Sequence, residues 1–409
     1  MAGLARLYRR RGLQVRVFKT GPDFLDPMIL ERTSGAPVHQ LDLWMVGEGE
    51  CRALLHEAAG EADVLIVEGV MGLYDDSPSS TGLARRFDIP VAAVIDARAM
   101  AQTFGAIAHG LAHYGDVPVA GVIANRVANE GHVAMLREGL APDILLLAWL
   151  GTDAAAALPK RHLGLVQARE PDDIDARLEQ LADSLERCGV PVPAAVAFAV
   201  DPGVNASASA SRRADGMRIA IARDAAFSFL YPANLALLTS LGATLHFFSP
   251  LEETVLPEAD ALYIPGGYPE LHAARLADNA PMRTAIVAFH ARGGPLLAEC
   301  GGMMFLCEGL VDGGGTRHAM CALLPGEVRM QPRLAAIGLQ EVTLPEGTLR
   351  GHTFHYSAFQ TTMVPIARGA ARRHGSTGEA VYRRGRLTAS YVHLYFPSNP
   401  DAAASLFLP

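Results

Sequence analysis

Lysine is almost missing from this 409-residue sequence: of 35 basic residues only Lys19 and Lys160 are lysines, and 43 acidic residues bring the formal charge to −8. A chain of that balance has no cationic surface for coating nucleic acid, so small molecules are the expected partners. Long hydrophobic runs are missing too. None approaches the ~18–20 residues of a membrane helix, and Ile144–Ala148 has the length of a buried strand. The N-terminus lacks the signal-peptide order of charge before apolar centre, because Arg9, Arg10 and Arg11 follow a short amphipathic stretch, and the expected location is the cytoplasm. Cysteine is scarce and odd in number, at positions 51, 188, 300, 307 and 321, with no Cys-x-x-Cys pair. That argues against a disulfide framework or a zinc knuckle and leaves room for a nucleophile.

Half of the residues are apolar, enough for buried cores, and the length predicts two or three domains. Gln14–Phe18, Asp63–Val67, Pro90–Ile95 and Pro118–Ile123 read as strands, and Arg98–Tyr114 has helical spacing. This alternation predicts a parallel sheet covered on both faces, with ligands at the carboxyl ends of its strands. Residues 200–216 are small and polar without an apolar period, the composition of a connector, which separates a domain at 1–199 from one at 217–409. The α/β rhythm restarts at Met217–Ala222 and continues to Pro295–Ala298. After Cys321 short strands with Gly and Pro punctuation, including Arg350–Ser357 and Arg386–His393, predict an antiparallel segment.

Cys300 lies in Ala298-Glu299-Cys300-Gly301-Gly302, where an apolar strand turns directly into a helix. Such an elbow holds the side chain strained and exposed, and a helix N-terminus lowers the pKa of the thiol; both favour nucleophilic thiolate chemistry. Upstream, Ile264-Pro265-Gly266-Gly267-Tyr268 ends another strand in two glycines, so the Gly267 N–H is a candidate oxyanion donor. The pair of motifs resembles a class I glutamine amidotransferase. That resemblance implies a thiolate attack on the glutamine side-chain amide and makes His393 the expected general base. Most members carry Glu two residues after this His; here Tyr395 stands there, so some other group must orient the ring. His352 and His355 are expected to line a pocket or to pack.

In the first half, strand Val15–Phe18 runs into Lys19-Thr20-Gly21-Pro22-Asp23-Phe24-Leu25-Asp26, and strand Val64–Val67 into Glu68-Gly69-Val70-Met71-Gly72-Leu73-Tyr74-Asp75. Carboxylates in such loops suit Mg²⁺ held between protein and nucleotide phosphates, with Asp26 and Glu68 as candidate ligands, and a lysine such as Lys19 offsets phosphate charge.

These two loops, in this order ahead of an amidotransferase half, are similar to those of the cobyrinic acid a,c-diamide synthases, and the similarity continues at Leu41–Met45, Gly121–Val127, Arg161–Val166 and Ala225–Leu235. The resemblance implies a dethiobiotin-synthetase-like, P-loop-type parallel-sheet domain followed by the amidotransferase domain. It further implies ATP-dependent phosphorylation of the c and then the a acetate of a corrin-ring acid, cobyrinic or hydrogenobyrinic, with glutamine-derived ammonia displacing phosphate. Asp23, Asp26, Glu68 and Asp75 fall on the family's catalytic positions. The nickel-sirohydrochlorin a,c-diamide synthases share the motif set, cobyric acid synthase fits the two loops less well, and a non-catalytic corrinoid-binding protein is the reading from another class. A homodimer is a candidate assembly.

One departure matters. No G-x-x-x-x-G-K-[ST] phosphate loop occurs, and Met1–Arg9 reads as the helix that follows such a loop. The expectation is a synthetase domain without its first strand, and a natural chain that starts earlier.

Overall fold

Lys19 sits at the carboxyl end of a strand because the run Val15–Phe18 before it is β-branched and aromatic, and that strand organises the first half of the molecule. β1 (Val15–Thr20) pairs in parallel with β2 (His39–Leu41) on one side and β3 (Val64–Glu68) on the other, in the order β2-β1-β3. The register sets Lys19 opposite Gln40 and opposite Glu68. A second parallel sheet has the order β4-β5-β6, from β4 (Val91–Asp96), β5 (Val119–Val127) and β6 (Leu146–Gly151). The computed structural model describes residues 1–75, 80–153, 157, 160–161, 164–165, 172–196, 212–372 and 378–408. The chain divides into two units, Met1–Ala206 and Ser207–Pro409. Most of the expected connector at 200–216 falls outside the described residues, as do His162, Leu163 and Val166 of the similarity.

In the first unit, α1 (Ala2–Arg10) and α2 (Leu25–Ser34) flank β1, followed by α3 (Glu48–Glu61), α4 (Ser80–Arg86), α5 (Thr103–His113), α6 (Glu130–Gly139) and α7 (Ile174–Arg187). The helix expected at Arg98–Tyr114 thus starts only at Thr103. Helix α7 buries Ile174, Leu178, Ala182 and Leu185, one stripe at helical spacing. Ala182 and Leu185 join Ala5, Leu7 and Tyr8 of α1 in a core that takes Val15 and Val64 from the first sheet and Ile123 and Ala148 from the second. Helices α1 and α7 therefore pack on strands of both sheets, and Arg6–Glu179 and Arg10–Glu186 ion pairs join their polar faces at 2.5 and 2.6 Å. Between the sheets the ladder is interrupted: among the described residues β3 pairs only with β1 and β4 only with β5. Val94, in the middle of β4, is 54% exposed, unusual for a strand of a parallel sheet.

The second unit has a seven-stranded sheet whose parallel part includes β9 (Arg218–Ala222), β10 (Thr244–Phe248), β11 (Ala261–Ile264) and β12 (Leu296–Glu299), a pair of two-residue strands, β7 (Lys160–Arg161) and β8 (Gly164–Leu165), belonging to the first unit. The helices are α8 (Pro232–Ser240), α9 (Ala273–Asp278), α10 (Ala280–Ala291), α11 (Gly301–Leu306) and α12 (Pro400–Ser405). β11 and β12 are buried throughout, as interior parallel strands must be when helices cover both faces. The remaining strands are β13 (Cys307–Val311), β14 (Arg317–Ala319), β15 (Leu324–Met330), β16 (Ala336–Leu344), β17 (Gly347–His355), β18 (Ser357–Gln360), β19 (Ala367–Arg368), β20 (Ala370–Ala371), β21 (Ala380–Arg384), β22 (Leu387–Ser390) and β23 (His393–Tyr395). The large sheet has the order β10-β9-β11-β12-β22-β21-β19, and two four-stranded sheets run β14-β13-β15-β18 and β20-β16-β17-β23. The long β16–β17 hairpin is antiparallel, as expected. Arg386–His393 is not one antiparallel strand, however. It breaks at Tyr391–Val392: β22 pairs in parallel with β12 and antiparallel with β21, while β23 crosses to pair with β17. The break delivers His393 to a sheet edge near the end of β12.

Candidate active site

In the second unit the site is built from three chain segments that meet at the carboxyl ends of β11 and β12. Cys300 follows β12 directly and caps α11 with φ +46°, a backbone conformation costly for any side chain. The expected elbow is present. Its exposure is not: Cys300 is 4% exposed and belongs to a core with Met303, Met304 and Tyr391. Burial pushes the thiol well above its ordinary pKa, with Glu270, Glu379 and Glu299 adding to the effect, and a hydrogen bond with the Gly301 backbone opposes the rise only in part. The expectation of a thiol activated at rest by a helix N-terminus is thus corrected; a six-residue helix in an apolar shell does not outweigh desolvation.

The Gly266–Gly267 turn packs against both Gly301, next to Cys300, and His393. A Cβ on Gly301 would come within 3.0 Å of the Gly267 N, and a Cβ on Gly266 within 2.2 Å of His393 Cε1. Gly266 has to be glycine because the imidazole occupies the space a side chain would take. Gly302 must be glycine as well, since its Cβ would fall 2.0 Å from the Ile264 carbonyl oxygen and prise α11 off β11.

His393 is 1% exposed, and its pKa is held well below the ordinary value by burial and by the nearby rings of His352 and His355. It is therefore a neutral imidazole, the form a general base requires. His352 stacks on it, with centroids 4.9 Å apart and planes 18° from parallel, and is itself fixed by a 2.8 Å hydrogen bond between Nδ1 and the Tyr231 hydroxyl. Burial lowers His352 to about 3, so the stack carries no charge. His352 packs against His393, one of the two roles expected for it. His355 binds Glu379 at 3.0 Å and stacks on Tyr391.

Two residues given no role in the sequence reading position the His393 segment. Asn234 donates to the Leu394 carbonyl at 2.8 Å and accepts from the Phe396 N–H at 2.8 Å. Glu299, 2% exposed, accepts from the Leu394 N–H at 3.0 Å and from the Tyr263 hydroxyl at 2.7 Å. Glu299 thus ties the residue before Cys300 to the residue after His393. No carboxylate follows the histidine at position 395, where Tyr395 packs edge-on against Tyr231. A signal was available, since a glutamate closing the apolar strand Leu296–Ala298 is an anomaly that asks for a buried partner.

Burial raises Glu299 to about 8 from 4.5, outweighing the hydrogen bonds from Tyr263 and Leu394. The fold disfavours its ionised form, so the stability linked to it is complete below pH 4.5 and is lost as pH rises through 8. Glu299→Gln keeps the two contacts and removes the titrating group. Its melting temperature is expected to fall less between pH 6 and 9 than that of the wild type, by a few degrees, since Glu270 and Asp23 still titrate in both.

The candidate site of the first unit gathers at the ends of β1 and β3. Lys19 is 3% exposed and its ammonium lies 3.6 Å from Asp26 and 3.7 Å from Glu68, with a 3.3 Å bond to the Gly69 carbonyl. Asp23 accepts from the N–H groups of Leu25 and Asp26 at the start of α2, and burial, followed by the Asp26 charge, raises it to about 6. The N-terminal end of α1 reaches the same cluster, since Glu68 and Asp26 act on the half-buried Met1 amino group. Four of the five expected residues, Lys19, Asp23, Asp26 and Glu68, are therefore brought together. Asp75 is not joined to them by any described contact; it folds back on its own loop and accepts from the Gly72 N–H at 3.1 Å. Among the described residues no three His, Cys, Asp or Glu side chains converge as a metal cage. Two carboxylates around one point do suit Mg²⁺, which keeps waters and takes phosphate oxygens alongside one or two protein ligands.

Comparison with known proteins agrees with this division. Residues 1–165 match the CobQ/CobB/MinD/ParA nucleotide binding domain family, and residues 218–401 match the CobB/CobQ-like glutamine amidotransferase domain family. The hydrogenobyrinate a,c-diamide synthase of Stutzerimonas stutzeri is 58% identical over all of this chain and 94% of its own length. That of Pseudomonas aeruginosa is 57% identical over all of this chain and 93% of its own. The cobyrinate a,c-diamide synthase of Herminiimonas arsenicoxydans is 52% identical, again over all of this chain and 93% of its own.

Proposed function

Because the chain belongs to the cobyrinate and hydrogenobyrinate a,c-diamide synthase family, and is thus a glutamine-dependent amide-forming ligase of cobalamin biosynthesis, we propose that its substrate is hydrogenobyrinic acid. The c and then the a acetate would be amidated. The higher identity to the two hydrogenobyrinate enzymes than to the cobyrinate enzyme favours the cobalt-free ring.

In this reading Cys300 attacks the glutamine side-chain carbonyl. His393 takes the thiol proton as the C–S bond forms, and the Gly267 N–H faces the developing oxyanion. The same imidazole passes the proton to the departing nitrogen, ammonia leaves, and water cleaves the thioester to glutamate. A buried neutral thiol supports ionisation only once substrate is bound, which keeps the resting thiol from reacting with oxidants. The observation that carries the reading is that the strained Cys300 elbow, through Gly301, and a neutral His393 pack against the same Gly266–Gly267 turn.

In the first unit ATP is the proposed phosphoryl donor. Asp26 and Glu68 would hold Mg²⁺, which supplies charge neutralisation between nucleotide phosphates and protein. Lys19 offsets the charge of the transferred group, the α1 N-terminus offers backbone N–H groups to phosphate oxygens, and Asp23 and Asp75 are assigned to the acceptor carboxylate. Ammonia then attacks the acyl phosphate and expels inorganic phosphate. The edges of β3 and β4, which pair with no further strand among the described residues, and the exposure of Val94 support one further parallel strand between them, carrying the phosphate loop.

The test is to incubate protein with ATP, Mg²⁺, glutamine and either hydrogenobyrinic or cobyrinic acid and to count amides by mass. A chain extended at its N-terminus by a strand and a G-x-x-x-x-G-K-[ST] loop is expected to form the diamide of hydrogenobyrinic acid at least ~100-fold faster than the 409-residue chain, the scale of preorganised phosphate contacts. Equal rates would reject the added strand. Diamide formation from cobyrinic acid alone would reject the choice of ring.

A further inference from the structure

Glu270 is a carboxylate for which neither the fold nor the proposed chemistry has a use. It lies in the single 3₁₀ turn Pro269–His272, which follows the Gly266–Gly267 turn and packs on α11. Pro269 covers Gly301, with its Cδ 2.7 Å from where a Cβ on that glycine would be, so this turn walls the Cys300 elbow on one side. Glu270 itself is half-buried, and burial pushes its carboxyl up to about 7. Among the described residues the one hydrogen bond its carboxylate takes comes from its own backbone N–H, and no arginine, lysine or histidine pairs with it. The other buried acids near the thiol are satisfied: Glu299 by Tyr263 and Leu394, Glu379 by His355. Of the three, Glu270 acts most strongly on the Cys300 thiol.

A half-buried carboxylate without a cation is costly, and its cost is recovered when a ligand supplies the cation. The amide donor has one to offer. We propose that Glu270 is the counter-charge for the α-ammonium group of the glutamine whose side-chain amide Cys300 attacks. The assignment rests on the reading of Cys300 as nucleophile, and it names how the site distinguishes glutamine from a simple amide. Glu270 then acts on binding, since the α-ammonium lies at the far end of the substrate from the reacting carbon and its charge is the same in the ground and transition states.

The experiment compares hydrolysis of glutamine with that of glutaramate, which has the same terminal amide and no α-amino group, in the full chain. Glu270→Gln is expected to raise KM for glutamine about 10- to 100-fold, as loss of one charge-assisted contact does, with kcat changed less than about threefold and glutaramate hydrolysis unaltered. Glu270→Asp, which keeps the charge, should restore part of the affinity. If either variant melts far below the wild type, glutaramate turnover by the other shows whether the elbow is intact. An unchanged glutamine KM in Glu270→Gln, or an equal loss with both amides, overturns the assignment. Cys300→Ala in the same assay separates the two readings. If it is inert while Glu270→Gln binds glutamine normally, only the role of Glu270 fails; if it still hydrolyses glutamine, the nucleophile fails and the subsite with it.

Discussion

Cys300→Ala is expected to lose glutamine hydrolysis by at least about 1,000-fold while amidation supported by ammonium salts continues near the wild-type rate, because removing a nucleophile abolishes the covalent route and leaves the acyl-phosphate chemistry untouched. The two nitrogen donors therefore separate what the thiol does from what it holds together. The alternative cause of a loss, collapse of the β12–α11 elbow, has a different signature. Position 300 sits at φ +46°, which Cys and Ala tolerate equally badly and Gly adopts freely. Cys300→Gly is thus expected to melt above Cys300→Ala by an amount equivalent to about 1 kcal/mol, yet to be equally inactive with glutamine. Activity that followed stability across the pair would mean that the elbow is architecture and the nucleophile lies elsewhere.

Much of this site was legible in the sequence, and the parts that were not share a cause. The elbow and the Gly-Gly turn were each marked by a short motif at the end of an apolar run, and His393 by the resemblance those motifs carry. Lys19 and Glu68 were marked the same way, and parallel pairing of β1 with β3 puts them in register. What the sequence concealed is long-range. The hydrogen bonds of Glu299 to Leu394, of Asn234 to Leu394 and Phe396, and of Tyr231 to His352 span 95 to 162 residues, and no local pattern announces them. They matter because they replace one missing local feature. With Tyr395 where the resemblance leads one to expect glutamate, His393 is fixed by its stacked neighbour His352 and by its backbone, which Glu299 and Asn234 clamp from two sides. The thiol was misjudged for a related reason. Motif reasoning credits the helix N-terminus but cannot see the apolar shell of Met303, Met304 and Tyr391, and the shell prevails.

The synthetase unit carries the complementary prediction. Lys19 is a buried cation within 4 Å of both Asp26 and Glu68, so Lys19→Met removes the partner of two carboxylates and, on the proposed reading, the positive charge offered to a phosphoryl group. Amidation is expected to fall about 1,000-fold with glutamine and with ammonium alike, while hydrolysis of glutamine changes less than about twofold. The same substitution destabilises the fold, but moderately: Asp26 and Glu68 keep 35% and 22% of their side chains exposed, and water screens what the lysine no longer does, leaving about 1–3 kcal/mol rather than the full cost of stranding a buried charge. Adding Glu68→Gln removes one of the two stranded carboxylates and should recover part of that stability without recovering amidation, since neither variant restores a cation at the end of β1. If the double variant regained activity along with its melting temperature, Lys19 would be a structural counter-ion. If Lys19→Met alone amidated normally with ammonium, the phosphoryl-transfer centre would have to be sought away from the β1 and β3 loops.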